Sequence, residues 1–179
     1  CLLILRPNAR VFPRLRSVLV YPGAFQVPIQ EPDEDGLVPD EPEERIGESW
    51  QGDRIVLSWE DVAAALDGDE VNVVAHELAH QLDDEEPEHE GAPLLGDYRK
   101  WSAVMRAEYA RLQEQDSPVL DEYGAESPAE FFAVATETYF QRGAELRLHH
   151  PELYALLRDY YGLDTAAART LTASSRSGR

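Results

Sequence analysis

The sequence predicts an α+β fold, mostly helical, with a small β-sheet beside one central buried helix. Three observations carry that prediction. Two short β-branched runs, Arg16 to Tyr21 and Arg54 to Trp59, lie in the N-terminal third and read as strands. Val71, Val74, Ala75, Leu78, Ala79 and Leu82 recur at helical spacing around most of a circumference, the pattern of a helix buried on nearly all sides. Two later stretches repeat the helical period with large aromatic and aliphatic residues.

Taken in order, Cys1 is followed at once by the core-like Leu2, Leu3 and Ile4. This suits a chain that begins inside a longer protein better than a lipid-anchored cysteine with a polar tether. Arg16-Ser-Val-Leu-Val-Tyr21 is closed by Pro22-Gly23, a strand running into a turn. From Pro28 to Glu44 proline and acid dominate without an apolar period, so an exposed loop is expected. Arg54-Ile-Val-Leu-Ser-Trp59 is the second strand, and Ser58 then opens a short helix through Leu66.

Asp67-Gly68-Asp69 breaks that helix and offers an N-cap to the central one. A loop from Asp84 to Gly96 leads to a helix from about Asp97 to Glu114 carrying Trp101, Val104, Met105 and Leu112. Ser127-Pro128 starts another, with serine at the cap and proline in the first turn, running from Ala129 to about Gln141. An amphipathic helix spans Pro151 to Tyr161. Residues 1–171 are expected to form one domain and 172–179 a disordered tail.

Sixteen basic and 35 acidic residues give a net charge of −19, which repels phosphate backbones and anionic headgroups and argues against direct nucleic-acid binding. No apolar run is long enough to span a membrane. With one cysteine no intrachain disulfide can form, and a cytoplasmic location is the expectation. The acidic runs at 31–48 and 83–90 read as solvated loops; the second lacks the spacing and central glycine of a calcium-binding EF-hand. His89, inside it, reads as solvated.

His76-Glu77-Leu78-Ala79-His80 is an H-E-x-x-H pattern on the central helix. Its two imidazoles project from one face, one turn apart, and can grip one ion. Zinc takes imidazole nitrogens at about 2.0–2.1 Å, and a catalytic site keeps a position for water beyond three protein ligands. Metal binding lowers that water's pKa to roughly 7, and Glu77 is placed to take its proton. For the third ligand, Glu86 has the spacing of one known arrangement, which needs glycine at position 83; aspartate stands there. Glu130 is the carboxylate in an otherwise apolar helix opening, and a buried carboxylate needs a partner. Glu137, two turns beyond Glu130, and Asp83, seven residues beyond His76, could each orient a ligand histidine or serve as surface and capping residues.

VVAHELAHQLD, EGAPLL and YGAESPAEFFAVATETYF, with the upstream YPGAFQVP and GESWQGDRIVLSWEDV, resemble the Mlc titration factor A family of metallopeptidases. The similarity runs from about Val18 to Tyr161. YGAESPAEFF also resembles the catalytic domain of the lethal-factor metalloproteases, where a tyrosine precedes the glutamate ligand by seven residues, as Tyr123 precedes Glu130. The resemblance implies a zincin-like fold, zinc on His76, His80 and Glu130, Glu77 as general base, and Tyr123 near the reacting carbonyl. The acidic DDEEPEHE segment departs from the family and puts substrate preference in question.

Two functions follow as expectations. One is an aminopeptidase-like zinc peptidase that holds an extended peptide on an edge strand, with Arg54 to Ser58 as the candidate strand. The other is a regulatory protein that sequesters a transcriptional repressor, its zinc structural or incidental.

Overall fold

The computed structural model describes residues 12, 14–27, 43–45, 47–50, 53–67, 71–83 and 98–167. The expectations for the N-terminal segment, the 84–96 loop and the tail fall outside them. Strands β1 (Ser17–Tyr21), β2 (Phe25–Val27), β3 (Glu43–Arg45), β4 (Gly47–Trp50) and β5 (Arg54–Ser58) precede the helices. These are α1 (Trp59–Asp67), α2 (Val73–Asp83), α3 (Tyr98–Glu114), α4 (Pro128–Gln141), α5 (Gly143–His149) and α6 (Pro151–Tyr161), with a 3-10 turn at Glu122–Ala125.

The main sheet has the order β1-β5-β4. β1 runs parallel to β5, Ser17 opposite Arg54 and Tyr21 opposite Ser58. β4 runs antiparallel, Gly47 opposite Leu57 and Trp50 opposite Arg54. The central position explains why Ile55, Val56, Leu57 and Ser58 are all buried, whereas Val18 to Tyr21 on β1 are exposed. A separate ribbon pairs β2 with β3. Glu43 and Glu44 therefore belong to a strand, a correction to the loop reading of 28–44: backbone pairing with β2 overrides their weak strand propensity.

Helix starts follow local chemistry. Ser58 Oγ accepts the Asp61 N–H at 3.4 Å at the head of α1. α2 is capped by Asn72, whose Oδ1 accepts the Ala75 N–H at 3.0 Å, so the cap lies beyond the Asp67-Gly68-Asp69 break. Ser127 caps α4. α6 stops at Gly162, which takes the left-handed conformation at φ 67°, open to glycine without a Cβ clash.

Helix α2 joins two apolar clusters. Val73 packs with Ile55 and Leu57 of the sheet. Ala79 and Leu82 join the larger helical core with Trp101, Phe131, Phe132, Tyr139, Leu153 and Tyr161. Burying most of its circumference fixes α2 in rotation as well as position, which a multidentate site on it requires. A polar knot ties the helical layer together. His150, 2% exposed, has Nδ1 2.6 Å from Glu108 Oε2 on α3 and Nε2 2.8 Å from Ser117 Oγ. That oxygen accepts the N–H groups of Val119 and Leu120, so the serine hydroxyl donates to His150, which donates in turn to Glu108. Among the described residues, no helix is long and apolar enough to cross a membrane.

Candidate metal centre

Helices α2 and α4 pack directly together, and their contacting polar side chains meet at one point. His76 and His80, one turn apart, have ring centroids 5.0 Å apart. Glu130 Oε2 from the first turn of α4 lies 3.1 Å from His76 Nε2 and 3.3 Å from His80 Nε2. One ligand atom from each of His76, His80 and Glu130 falls within 4.8 Å of the others. Two imidazole nitrogens and a carboxylate oxygen converging this closely form a donor set that suits zinc.

The local sequence explains why Glu130 reaches this point. Ser127-Pro-Ala-Glu130 also fits a capping box, in which the glutamate would fold back on the serine N–H. Half of that box forms: Ser127 Oγ accepts the Glu130 N–H at 3.1 Å. The carboxylate turns to the histidines instead, and the cap pins the backbone from which it projects. Two turns on, Glu137 Oε2 lies 3.3 Å from His76 Nδ1, and its Oε1 accepts the Asn72 N–H at 2.7 Å. One carboxylate thus holds the head of α2 and turns the His76 ring so that Nε2 points inward, toward Glu130. Since Glu137 meets the start of α2 and Glu130 its middle, the helices run antiparallel.

Charge is balanced around the proton that His76 carries without metal. Burial pulls the imidazole pKa down, but hydrogen bonds to Glu130 and Glu137, with the charges of Glu77 and Glu130, outweigh it and raise the value to about 9. For Glu130 burial pushes upward, and the hydrogen bonds and charges of His76 and His80 bring it down to about 2. An imidazolium between carboxylates occupies the place a divalent cation would take, and metal binding must displace that proton.

The remaining sequence-derived candidates take distinct places. Glu77 is 6% exposed, on the helix between the two histidines. Tyr123 stands on the 3-10 turn before α4, 46% exposed, its ring 5.9 Å from that of His76. Asp83 is buried at the end of α2, on the helix that carries both histidines. Glu86 and His89 fall outside the described residues. The strand reading needs correction: β5 is flanked on both sides by β1 and β4, so it has no free edge for a peptide. Among the described residues β4 is the outer strand on that side.

Two features escaped the sequence reading. Asn72 joins the cap of α2 to Glu137; an asparagine is a helix-start signal, hidden here because Val71 before it fits the apolar period and places the start too early. Gly47 on β4 lies against Val73 and Glu77; a glycine inside a strand can mark such a close backbone approach.

Residues 1–162 match the family described as glucose-regulated metallo-peptidase M90. The chain belongs to this metallopeptidase family. An uncharacterized protein of Synechocystis sp. is 43% identical over 175 residues, covering 92% of this chain and 63% of that protein. Mlc titration factor A of Pectobacterium atrosepticum is 35% identical over 160 residues, 84% of this chain and 60% of its own length. The Escherichia fergusonii protein of that name is 32% identical over 171 residues, 90% and 64% respectively. The chain thus spans less than two thirds of each of these relatives. Membership of the M90 family implies a divalent metal, ordinarily zinc, and among the described residues His76, His80 and Glu130 form a group that can hold it.

Proposed function

We propose that the chain is the catalytic part of a zinc-dependent, aminopeptidase-like peptidase, with His76, His80 and Glu130 as metal ligands and Glu77 as general base. The observation that carries this reading is the convergence of the three ligand atoms within 4.8 Å, two of them from the helix that also presents the buried Glu77, in a chain of a metallopeptidase family. Zinc bound there would supply Lewis-acid polarisation of the scissile carbonyl and a water of lowered pKa.

The protein's own groups do the rest. Glu137 fixes the His76 ring, so that His76 offers Nε2 as a ligand atom. Glu77 takes the proton of the attacking water and returns it to the leaving amine. Tyr123, over His76, donates its phenolic hydrogen to the oxyanion of the tetrahedral intermediate, a charge that exists only after attack. The outer edge of β4, beside α2, offers backbone groups to an extended peptide, in the role first expected of β5. A cytoplasmic location suits this reading, with peptides as substrates.

The test is Glu77→Gln. Peptide hydrolysis should fall on the order of 10³-fold while zinc content holds. Unchanged hydrolysis of every cleaved peptide would remove Glu77 from the mechanism.

The relatives named Mlc titration factor A support a second reading, a regulatory protein that sequesters a transcriptional repressor. A structural zinc would need neither Glu77 nor Tyr123 and would close its fourth position, which favours catalysis. Equal recovery of a repressor by zinc-loaded and metal-stripped protein would favour sequestration.

A further inference from the structure

Helix α2 lies against strand β4, and Gly47 faces the flank of the helix that carries Glu77. A Cβ placed on Gly47 would stand 2.6 Å from Glu77 Oε1, 2.9 Å from Glu77 Cγ and 2.5 Å from Val73 Cγ2, all inside the 3.4 Å where ordinary contact begins. Val73 and Glu77 are one turn apart on α2, so they line the same strip of helix surface. The empty position at Gly47 is therefore filled from the helix side by one aliphatic and one carboxylate side chain.

We propose that Gly47 is a positioning residue for catalysis: the space its absent side chain leaves seats the Glu77 carboxylate and sets the distance between that base and the peptide-pairing edge of β4. The proposal rests on the reading of Glu77 as general base. The two neighbours respond differently to crowding. Val73 is 2% exposed, packed with Ile55 and Leu57, and β-branched, with little rotamer freedom. Glu77 has three side-chain torsions and is the group that can swing away. An added methyl at position 47 therefore pushes β4 off the rigid Val73, which costs stability, and swings the flexible Glu77 carboxylate out of its seat, which costs rate.

The metal ligands are insulated from this change. His76 and His80 direct their rings to Glu130 on α4, and Glu137 holds the head of α2 from the same side. The nearest atoms to that added methyl belong to Val73 and Glu77 rather than to a ligand, and a displacement of about 1 Å in a reacting group can cost on the order of 10²-fold in rate.

The experiment compares Gly47→Ala, Glu77→Gln, Val73→Ala and the doubles Gly47→Ala/Val73→Ala and Gly47→Ala/Glu77→Gln. Each is assayed for kcat, KM, zinc per chain, melting temperature and calorimetric affinity for a peptide hydroxamate. Gly47→Ala should lower kcat about 10²-fold with KM and zinc content unchanged, and should weaken hydroxamate binding. Removing the Val73 methyls should relieve crowding and recover melting temperature without recovering kcat. In the Glu77→Gln background Gly47→Ala should cost nothing more, because both act through one carboxylate. The proposal is overturned if Gly47→Ala keeps kcat within about threefold, if Val73→Ala restores the rate, or if activity falls only because zinc is lost. Should Gly47→Ala fail to fold, the double with Val73→Ala carries the comparison. A wild type that cleaves no peptide and binds no hydroxamate overturns the peptidase reading and this proposal together. A Glu77-dependent enzyme indifferent to Gly47→Ala overturns this proposal alone.

Discussion

Raising the pH of the metal-stripped protein should loosen the contact between α2 and α4. His76 titrates near 6.5 in an unfolded chain and near 9 in the fold, where Glu130 and Glu137 hold its proton against the cost of burial. A group whose folded pKa is raised contributes stability that is complete below 6.5 and vanishes as pH passes 9. Glu130, lowered from 4.5 to about 2, works in the opposite sense: its contribution is present above 4.5 and is lost as pH falls through 2. Both are therefore complete between 4.5 and 6.5. The rise at His76 corresponds to on the order of 3 kcal/mol at about 1.36 kcal/mol per pH unit. For a chain of this size that is roughly 6–12 °C of melting temperature. Thermal melts in excess chelator at about pH 6 and about pH 9.5 should show the loss, and Glu130→Gln should flatten it, since Glu77 and Glu137 then hold the proton alone. Zinc-loaded protein should show a much smaller fall, because the cation replaces the proton. An equal fall in wild type and Glu130→Gln would refute the reasoning.

Three further outcomes follow from the geometry. Glu130→Ala should reduce zinc from about one ion per chain to a small fraction after dialysis, measured by atomic emission; full occupancy would take Glu130 out of the site. Tyr123→Phe should lower kcat about 10²-fold with zinc and KM little changed, and a rate near wild type would leave the tyrosine a packing role against His76. His150→Ala should destabilise the protein by about 3 kcal/mol in urea unfolding without changing zinc content, because Glu108 and Ser117 lose the partner between them; a loss below about 1 kcal/mol would mean that the knot contributes little.

The helices were legible where punctuation and burial agree. Ser127-Pro128 marks the start of α4, and Pro151 with Gly162 brackets α6. Both observed helices match the sequence boundaries to within a residue. α5 was not legible: it is seven residues long, has no side-chain cap, and buries only Leu146 among its large side chains. The strands β2, β3 and β4 have three or four residues each and exist through their pairing, which no local pattern announces. That is also why β5 was mistaken for an edge: its apolar run records burial, not which neighbours supply it.

At the site, the spacing of His76 and His80 put two rings on one face, and an isolated carboxylate in an apolar opening drew attention to Glu130. Tyr123 carried no periodic signal, and only the family resemblance raised it. Gly47 was silent because its requirement arises where α2 lies against β4, a contact between segments about thirty residues apart.

The three ligand atoms come from two antiparallel helices with α3 threaded between them in sequence, and the His76–Glu130 contact closes a span of 54 residues. A nascent α2 offers two of the three ligands and lacks Glu130, so the full donor set does not exist on it. That set waits until α3 has been laid down, Ser127 has capped α4 and α4 has docked. Metal retention would then report completed folding: a chain stalled before that docking has only the α2 part of the donor set and should hold an ion weakly.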